Sequence, residues 1–175
     1  TEPTTPPVHI VPITSNFGFD EPTPPARTGR RTTIALSGAF NPWFDDERVC
    51  AALDEAFRRR PDLAVVVTGG GIAGFYEEGF RRFQQWARQH PTRVTIHEWL
   101  PHADVEAVLR TADIGLSMDR PGPEPELGSR TRLLLFASVG LIPASTVVCE
   151  LTREWRAAGA LVGLDADPVV AGAHL

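Results

Sequence analysis

The chain has 175 residues, a net charge of −5 and 42% hydrophobic residues. That length suits one domain with a core of its own. The acidic balance argues against a broad nucleic-acid-binding face, no apolar run reaches membrane-span length, and two well-separated cysteines, Cys50 and Cys149, imply neither a disulfide framework nor a metal site.

Residues 1–30 are crowded with proline, threonine and acidic side chains. They read as an extended lead-in, with one short apolar run at Val8-His9-Ile10-Val11-Pro12-Ile13. From Arg31 the pattern becomes regular, and residues 31–175 read as the folded domain. Thr33–Ser37 is an apolar strand run ending at Gly38. Asp45 or Asp46 caps a helix to about Arg60, with Val49, Leu53, Ala56 and Phe57 on one face. Ala64–Thr68 is a second strand, closed by Gly69-Gly70-Gly71. A helix follows over about Phe75–His90, then a strand at Val94–His97 and the rim Trp99-Leu100-Pro101.

Asp104 caps a short helix carrying Val105, Val108 and Leu109. Ile114–Ser117 is a fourth strand, followed by a Pro- and Glu-rich loop from Arg120 to Gly128. A helix over about Arg130–Val139 leads to strands at Ala144–Val148 and Ala160–Gly163, separated by a helix over Leu151–Ala158. This alternation of short apolar strands with helices predicts an α/β, Rossmann-like, doubly wound fold. Its sheet is six-stranded and mostly parallel, with helices on both faces. In such sheets ligands bind beyond the carboxyl ends of the strands.

Three strand ends carry residues suited to a phosphorylated ligand. Gly38 permits a tight turn, and the helix after it points its N-terminus at the same crevice. Gly69-Gly70-Gly71 leaves backbone amides open to a ligand, unless it is only a flexible loop. Glu124-Pro125-Glu126-Leu127-Gly128-Ser129-Arg130-Thr131-Arg132 pairs carboxylates, suited to hydroxyls, with guanidinium groups, suited to phosphate. Arginines at a helix start oppose its dipole, a cost that a bound anion offsets; the alternative is an exposed charged loop. Trp99 either rims a site or packs in the core. The lysine-bearing P-loop, the G-x-G-x-x-G fingerprint and the G-x-S-x-G elbow are all absent. The five histidines show no metal or catalytic spacing.

The order of these pieces resembles the C-terminal, nucleotide-sugar-binding domain of GT-B fold glycosyltransferases, closest to the family-4-type group. The matching segments are Ser37–Asp45, Gly69–Gly71, Val94–Pro101, Ala112–Leu116 and Glu126–Arg132. The resemblance implies transfer of a sugar, with retention, from a nucleoside-diphosphate sugar to an acceptor. It implies diphosphate contacts from Ser37, Gly38, Ala39, Phe40, Asn41, Arg130, Thr131 and Arg132. Nucleobase and ribose contacts fall to Gly69, Gly70, Trp99, Leu100 and Pro101, and donor-sugar contacts to Glu124, Glu126, Leu127 and Gly128. It implies a nucleotide-sugar donor as partner, with no cofactor and no metal; the unpaired cysteines fit a cytoplasmic location, and the net charge fits no nucleic-acid partner.

The chain then reads as an excised half of a longer protein, inactive without an N-terminal acceptor-binding domain. The full-length protein is expected to associate peripherally with membrane. Two other functions share these features: half of a nucleotide-sugar epimerase, and a non-catalytic nucleotide-binding or scaffold domain. The sequence departs from the pattern where many members carry two glutamates eight positions apart. Eight beyond Glu126 stands Leu134, and eight beyond Glu124 stands Arg132. The later turn is also altered, to Gly140-Leu141-Ile142-Pro143.

Overall fold

The computed structural model describes residues 31–175; the lead-in of residues 1–30, with its Val8–Ile13 run, lies outside the described residues. The elements in chain order are β1 (Thr33–Ser37), α1 (Asp46–Arg59), β2 (Ala64–Thr68), α2 (Glu78–Ala87), β3 (Val94–His97), α3 (His102–Leu109) and β4 (Ile114–Ser117). Then come α4 (Pro123–Leu127), α5 (Thr131–Ser138), β5 (Ile142–Thr146), α6 (Glu150–Ala157), β6 (Val162–Leu164) and α7 (Pro168–His174). The strands form one sheet in the order β3-β2-β1-β4-β5-β6. Every pairing is parallel, so the sheet is wholly rather than mostly parallel.

The two faces follow from the period-2 alternation of strand side chains. Ile34, Leu36, Val65 and Val67 point to one side, where they meet Val49, Leu53 and Ala56 of α1 and Phe80 and Phe83 of α2. Ala35 and Val66 point to the other, against Leu109, Leu133 and Phe136. Helices therefore cover both faces, as the apolar strands require. Gly115 is the seat of Phe136: a Cβ there would lie 2.2 Å from the ring. The edge strand β3 is the exception, with Thr95 and His97 exposed on its outer face.

Several local expectations change: Asp104 lies in the first turn of α3 behind the cap position Pro101, and β6 runs Val162–Leu164 instead of starting at Ala160. The expected loop after β4 contains a helical turn, α4, with Pro123 at its first position and Gly128 at its end, the favoured placement of both residues. β5 starts two residues earlier than expected and takes Pro143 into the strand. Pro143 pairs with Gly115, and β6 is reached only from Ala144 onward, so the missing N–H disrupts no pairing to β6. α2 begins at Glu78, because Ile72–Tyr76 closes into its own hydrogen-bonded loop. Finally, a last helix, α7, is capped by the Asp167 carboxylate and packs along α1. Gly172 makes that seam possible, since a Cβ there would stand 2.4 Å from the Ala52 carbonyl. Among the described residues, no helix is long and apolar enough to cross a membrane.

Candidate anion-binding site at the sheet switch point

The chain leaves β1 toward one edge and returns through β4 on the other side, so the sheet reverses its winding between these strands. A crevice opens beyond their carboxyl ends, where open α/β sheets bind ligands. Its floor is tightly stitched. The amide of Gly38 donates to the Thr68 carbonyl at 2.8 Å, and that of Phe40 to the Gly70 carbonyl at 3.0 Å. The Asp45 amide donates to the Met118 carbonyl at 2.9 Å, and the Arg120 amide to the Trp43 carbonyl at 2.7 Å. Gly69, at φ 102°, lies so close to Gly38 that a Cβ would sit 2.4 Å from the Gly38 carbonyl oxygen.

Several amides of this crevice are engaged within the chain. The amides of Gly38 and Phe40 already have partners, and so does the Gly69 amide, which donates to the Glu98 carbonyl at 2.7 Å. Gly38 and Gly69 serve close backbone apposition. The start of α1 is likewise occupied. Asp45 caps it by accepting from the Arg48 amide. Asp46 is buried and accepts from Arg82 at 2.8 and 3.0 Å and from Arg120 at 3.1 Å. Carboxylates of the chain itself thus satisfy the α1 dipole.

The start of α5 differs. It has no acidic residue in its first turn and no side-chain cap, so no side chain satisfies the amides of Thr131 and Arg132, two residues that line the crevice. Two arginines flank it in opposite states. Arg130 is buried and bonded to Asp119 at 2.9 Å and to Glu124 at 3.3 Å. Its charge is thus paired within the protein, at the edge of the cleft it helps to line. Burial pushes the Asp119 carboxyl above its usual range, with the charges of Arg130 and Arg132 opposing.

Arg132 donates to the Ala39 carbonyl at 2.7 Å and to the Ser117 hydroxyl at 3.4 Å, and its guanidinium lies over the Phe44 ring. No carboxylate forms an ion pair with it among the described residues. Burial lowers its proton affinity, though arginine remains charged at neutral pH. Arg132 also stands against the Gly38 turn, within 3.4 Å of where a Cβ would be. Asn41, Ser117, Ser129, Thr131 and Arg132 line one cleft of about 140 Å³.

The remaining expected residues fall in three places. Ser37 is buried and accepts from the Thr68 hydroxyl at 3.0 Å. Glu124 lines the cleft rim, while Glu126 and Leu127 are exposed on α4. Gly128 is pressed against the Glu124 side chain. Trp99 is exposed, not core; its indole N–H donates to the Gly71 carbonyl at 2.9 Å. With Gly71, Phe80 and Glu98 it borders a second hollow of about 240 Å³, beside buried Gly69 and Gly70, half-buried Leu100 and exposed Pro101. Leu134, eight positions beyond Glu126, lies half-buried on α5.

Sequence reasoning missed Asp119, the buried partner of Arg130, and the aromatic pair Trp43 and Tyr76. The one available signal for Asp119 was a carboxylate placed directly after an apolar strand.

No family model matches the sequence, and no curated protein matches it. Solved structures do share its fold. An α,α-trehalose-phosphate synthase (UDP-forming) from Burkholderia vietnamiensis matches 83% of this chain and 35% of its own, at 11% identity and TM-score 0.65. The lipopolysaccharide outer core galactosyltransferase WaaB matches 75% of this chain and 34% of its own, at 18% identity and TM-score 0.55. The C-terminal domain of a group 1 glycosyl transferase, LpcC, from Francisella tularensis matches 68% of this chain and 60% of its own, at 14% identity and TM-score 0.54. The chain spans about a third of the length of the first two. These likenesses show the fold: a Rossmann-like α/β domain of the kind found in GT-B glycosyltransferases, in line with the resemblance in the order of its strand ends.

Proposed function

We propose that this domain holds the diphosphate of a nucleoside-diphosphate sugar and serves as the donor half of a glycosyltransferase. The observation that carries the reading is Arg132: a guanidinium with no carboxylate partner among the described residues, beside the uncapped start of α5. A partly buried, unpaired cation is costly. A bound phosphate offsets that cost through charge-assisted hydrogen bonds. The α5 amides from Thr131 onward and the Arg132 side chain are the donors in this reading. Such donors also stabilise a departing diphosphate. Arg130 acts indirectly, by fixing the α5 start through Asp119.

The reading commits to the diphosphate more than to the ribose, since Leu134 replaces the second carboxylate. The nucleobase is assigned to the hollow beside Trp99, and the donor sugar to the Glu124 rim. The cleft of about 140 Å³ is smaller than a site that encloses a drug-sized ligand, roughly 300–1,000 Å³. Sugar transfer accordingly requires a second wall, the acceptor-binding domain. Calorimetric titration with UDP, GDP, ADP and UDP-glucose tests the proposal. Binding of at least one is expected, with Arg132→Ala weakening it about tenfold or more. No heat from any of them at millimolar concentration overturns it.

A further inference from the structure

A third hollow, of about 230 Å³, lies between the Ile72–Tyr76 loop and the start of α1. The loop is a closed unit. Ile72 and Tyr76 exchange backbone hydrogen bonds at 3.0 and 2.9 Å, Phe75 donates to the Ile72 carbonyl at 2.9 Å, and the Gly74 amide donates to the Glu77 carboxylate at 2.8 Å. Gly74, at φ 76°, makes the turn. The product is an aromatic lip. Phe75 is 78% exposed at the loop tip, its ring centroid is 6.1 Å from that of Tyr76, and Tyr76 meets Trp43 at 6.2 Å. Trp43 in turn lines the Arg132 cleft, so the lip separates the two hollows.

The opposite wall is polar and held in place. Arg82 and Arg120 both donate to Asp46, and Arg82 also donates to Glu78 at 3.0 Å. Both guanidinium groups stay partly exposed, at 39% and 38%, and each carries more N–H donors than these bonds use. Glu78 is 81% exposed and offers acceptors. The lining carboxylates, Asp46, Glu77 and Glu78, outnumber the two arginines, which disfavours an anionic ligand. An apolar ligand would leave the charged wall desolvated without partners. The volume is below that of a drug-sized site and suits one small ring. The fitting chemistry is a flat apolar face for the rings and a perimeter of hydroxyls for the charged groups.

We propose that this hollow is a saccharide-binding site, which takes a neutral pyranose against Phe75 and Tyr76 with its hydroxyls on Arg82, Arg120 and Glu78. The hollow lies across Trp43 from the Arg132 cleft, and saccharide binding in it does not rest on the nucleotide-sugar reading. The sequence supplies separate reporters, because Tyr76 is the only tyrosine and Met118 the only methionine. Tyr76 lines this hollow, and Met118 is buried just past β4, between Ser117 and Asp119, which line the Arg132 cleft.

The full 175-residue chain, labelled at tyrosine and methionine, is titrated by NMR with methyl glucoside, methyl galactoside, methyl mannoside and, separately, UDP. At least one glycoside is expected to shift the Tyr76 signal and leave Met118 in place. Phe75→Ala, a change at an exposed position, should weaken that titration about three- to tenfold. Three results overturn the proposal: no glycoside shifts Tyr76 at molar-scale saturation, the response survives Phe75→Ala unchanged, or glucose 6-phosphate titrates Tyr76 more tightly than the neutral sugars. UDP that leaves Met118 unmoved counts against the nucleotide reading alone.

Discussion

Two helix starts flank the same crevice and solve the same electrostatic problem in opposite ways. At α1 the chain supplies its own anions, Asp45 as cap and buried Asp46 bonded to two arginines. At α5 it supplies none, and places Arg130 and Arg132 there instead. A helix start with basic flanks and no cap is unfavourable by itself. The contrast teaches that closeness to a sheet's carboxyl end does not make a helix start an anion site; the start must also be left unsatisfied.

The contrast can be broken most forcefully at Asp119. Asp119→Ala leaves the buried Arg130 guanidinium with only the part-exposed Glu124 as an ionic partner, and unfolding in urea should show a loss of about 3 kcal/mol, with nucleotide binding weakened as the α5 start shifts. Arg132→Ala separates binding from stability. It should weaken nucleotide diphosphate affinity by about 1.5–3 kcal/mol, while the urea midpoint barely moves. Asp45→Ala is the counterpart at α1: about 1 kcal/mol of stability is lost with the cap, and affinity is expected to stay the same.

The finest probe is Cys50, one turn into α1. Burial, and then the charges of Asp46 and Asp54, push its thiol up to about 12, so few molecules carry the reactive thiolate at neutral pH. Iodoacetamide at pH 8 should leave it intact in the native protein. Asp46→Asn removes one of the two named charges, and the alkylation rate should then rise severalfold.

The sheet was legible because its signal is local. Ile34, Leu36, Val65 and Val67 announce strands by composition, and Asp45 announces a helix by its position. The order of the strand ends carried the fold as well, since each apolar run stops at a residue that suits a turn. What sequence did not disclose were pairings across the crevice. Nothing near Arg130 marks it as the partner of Asp119, 11 positions away, or marks Arg132 as the one left without a carboxylate. Both are arginines in one short motif, yet, as cap and second residue of the first turn of α5, they meet different neighbours. The same holds for Gly69, whose requirement is set by the Gly38 backbone on another strand. Pro143 misled for a related reason: its effect on β5 depends on where β6 begins.

The seam between α1 and α7 limits how far this domain can be shortened from its C-terminal side. Gly172 rests on the Ala52 carbonyl and against Glu55 with no room for a methyl group, and Ala171 and Leu175 belong to the same core cluster as Val49 and Leu53. Trimming before Pro168 would strip the outer flank of α1, the helix whose first residues form one wall of the crevice. A minimal version of this domain for crystallisation or fusion must therefore keep its last turn, although that turn touches no part of the site.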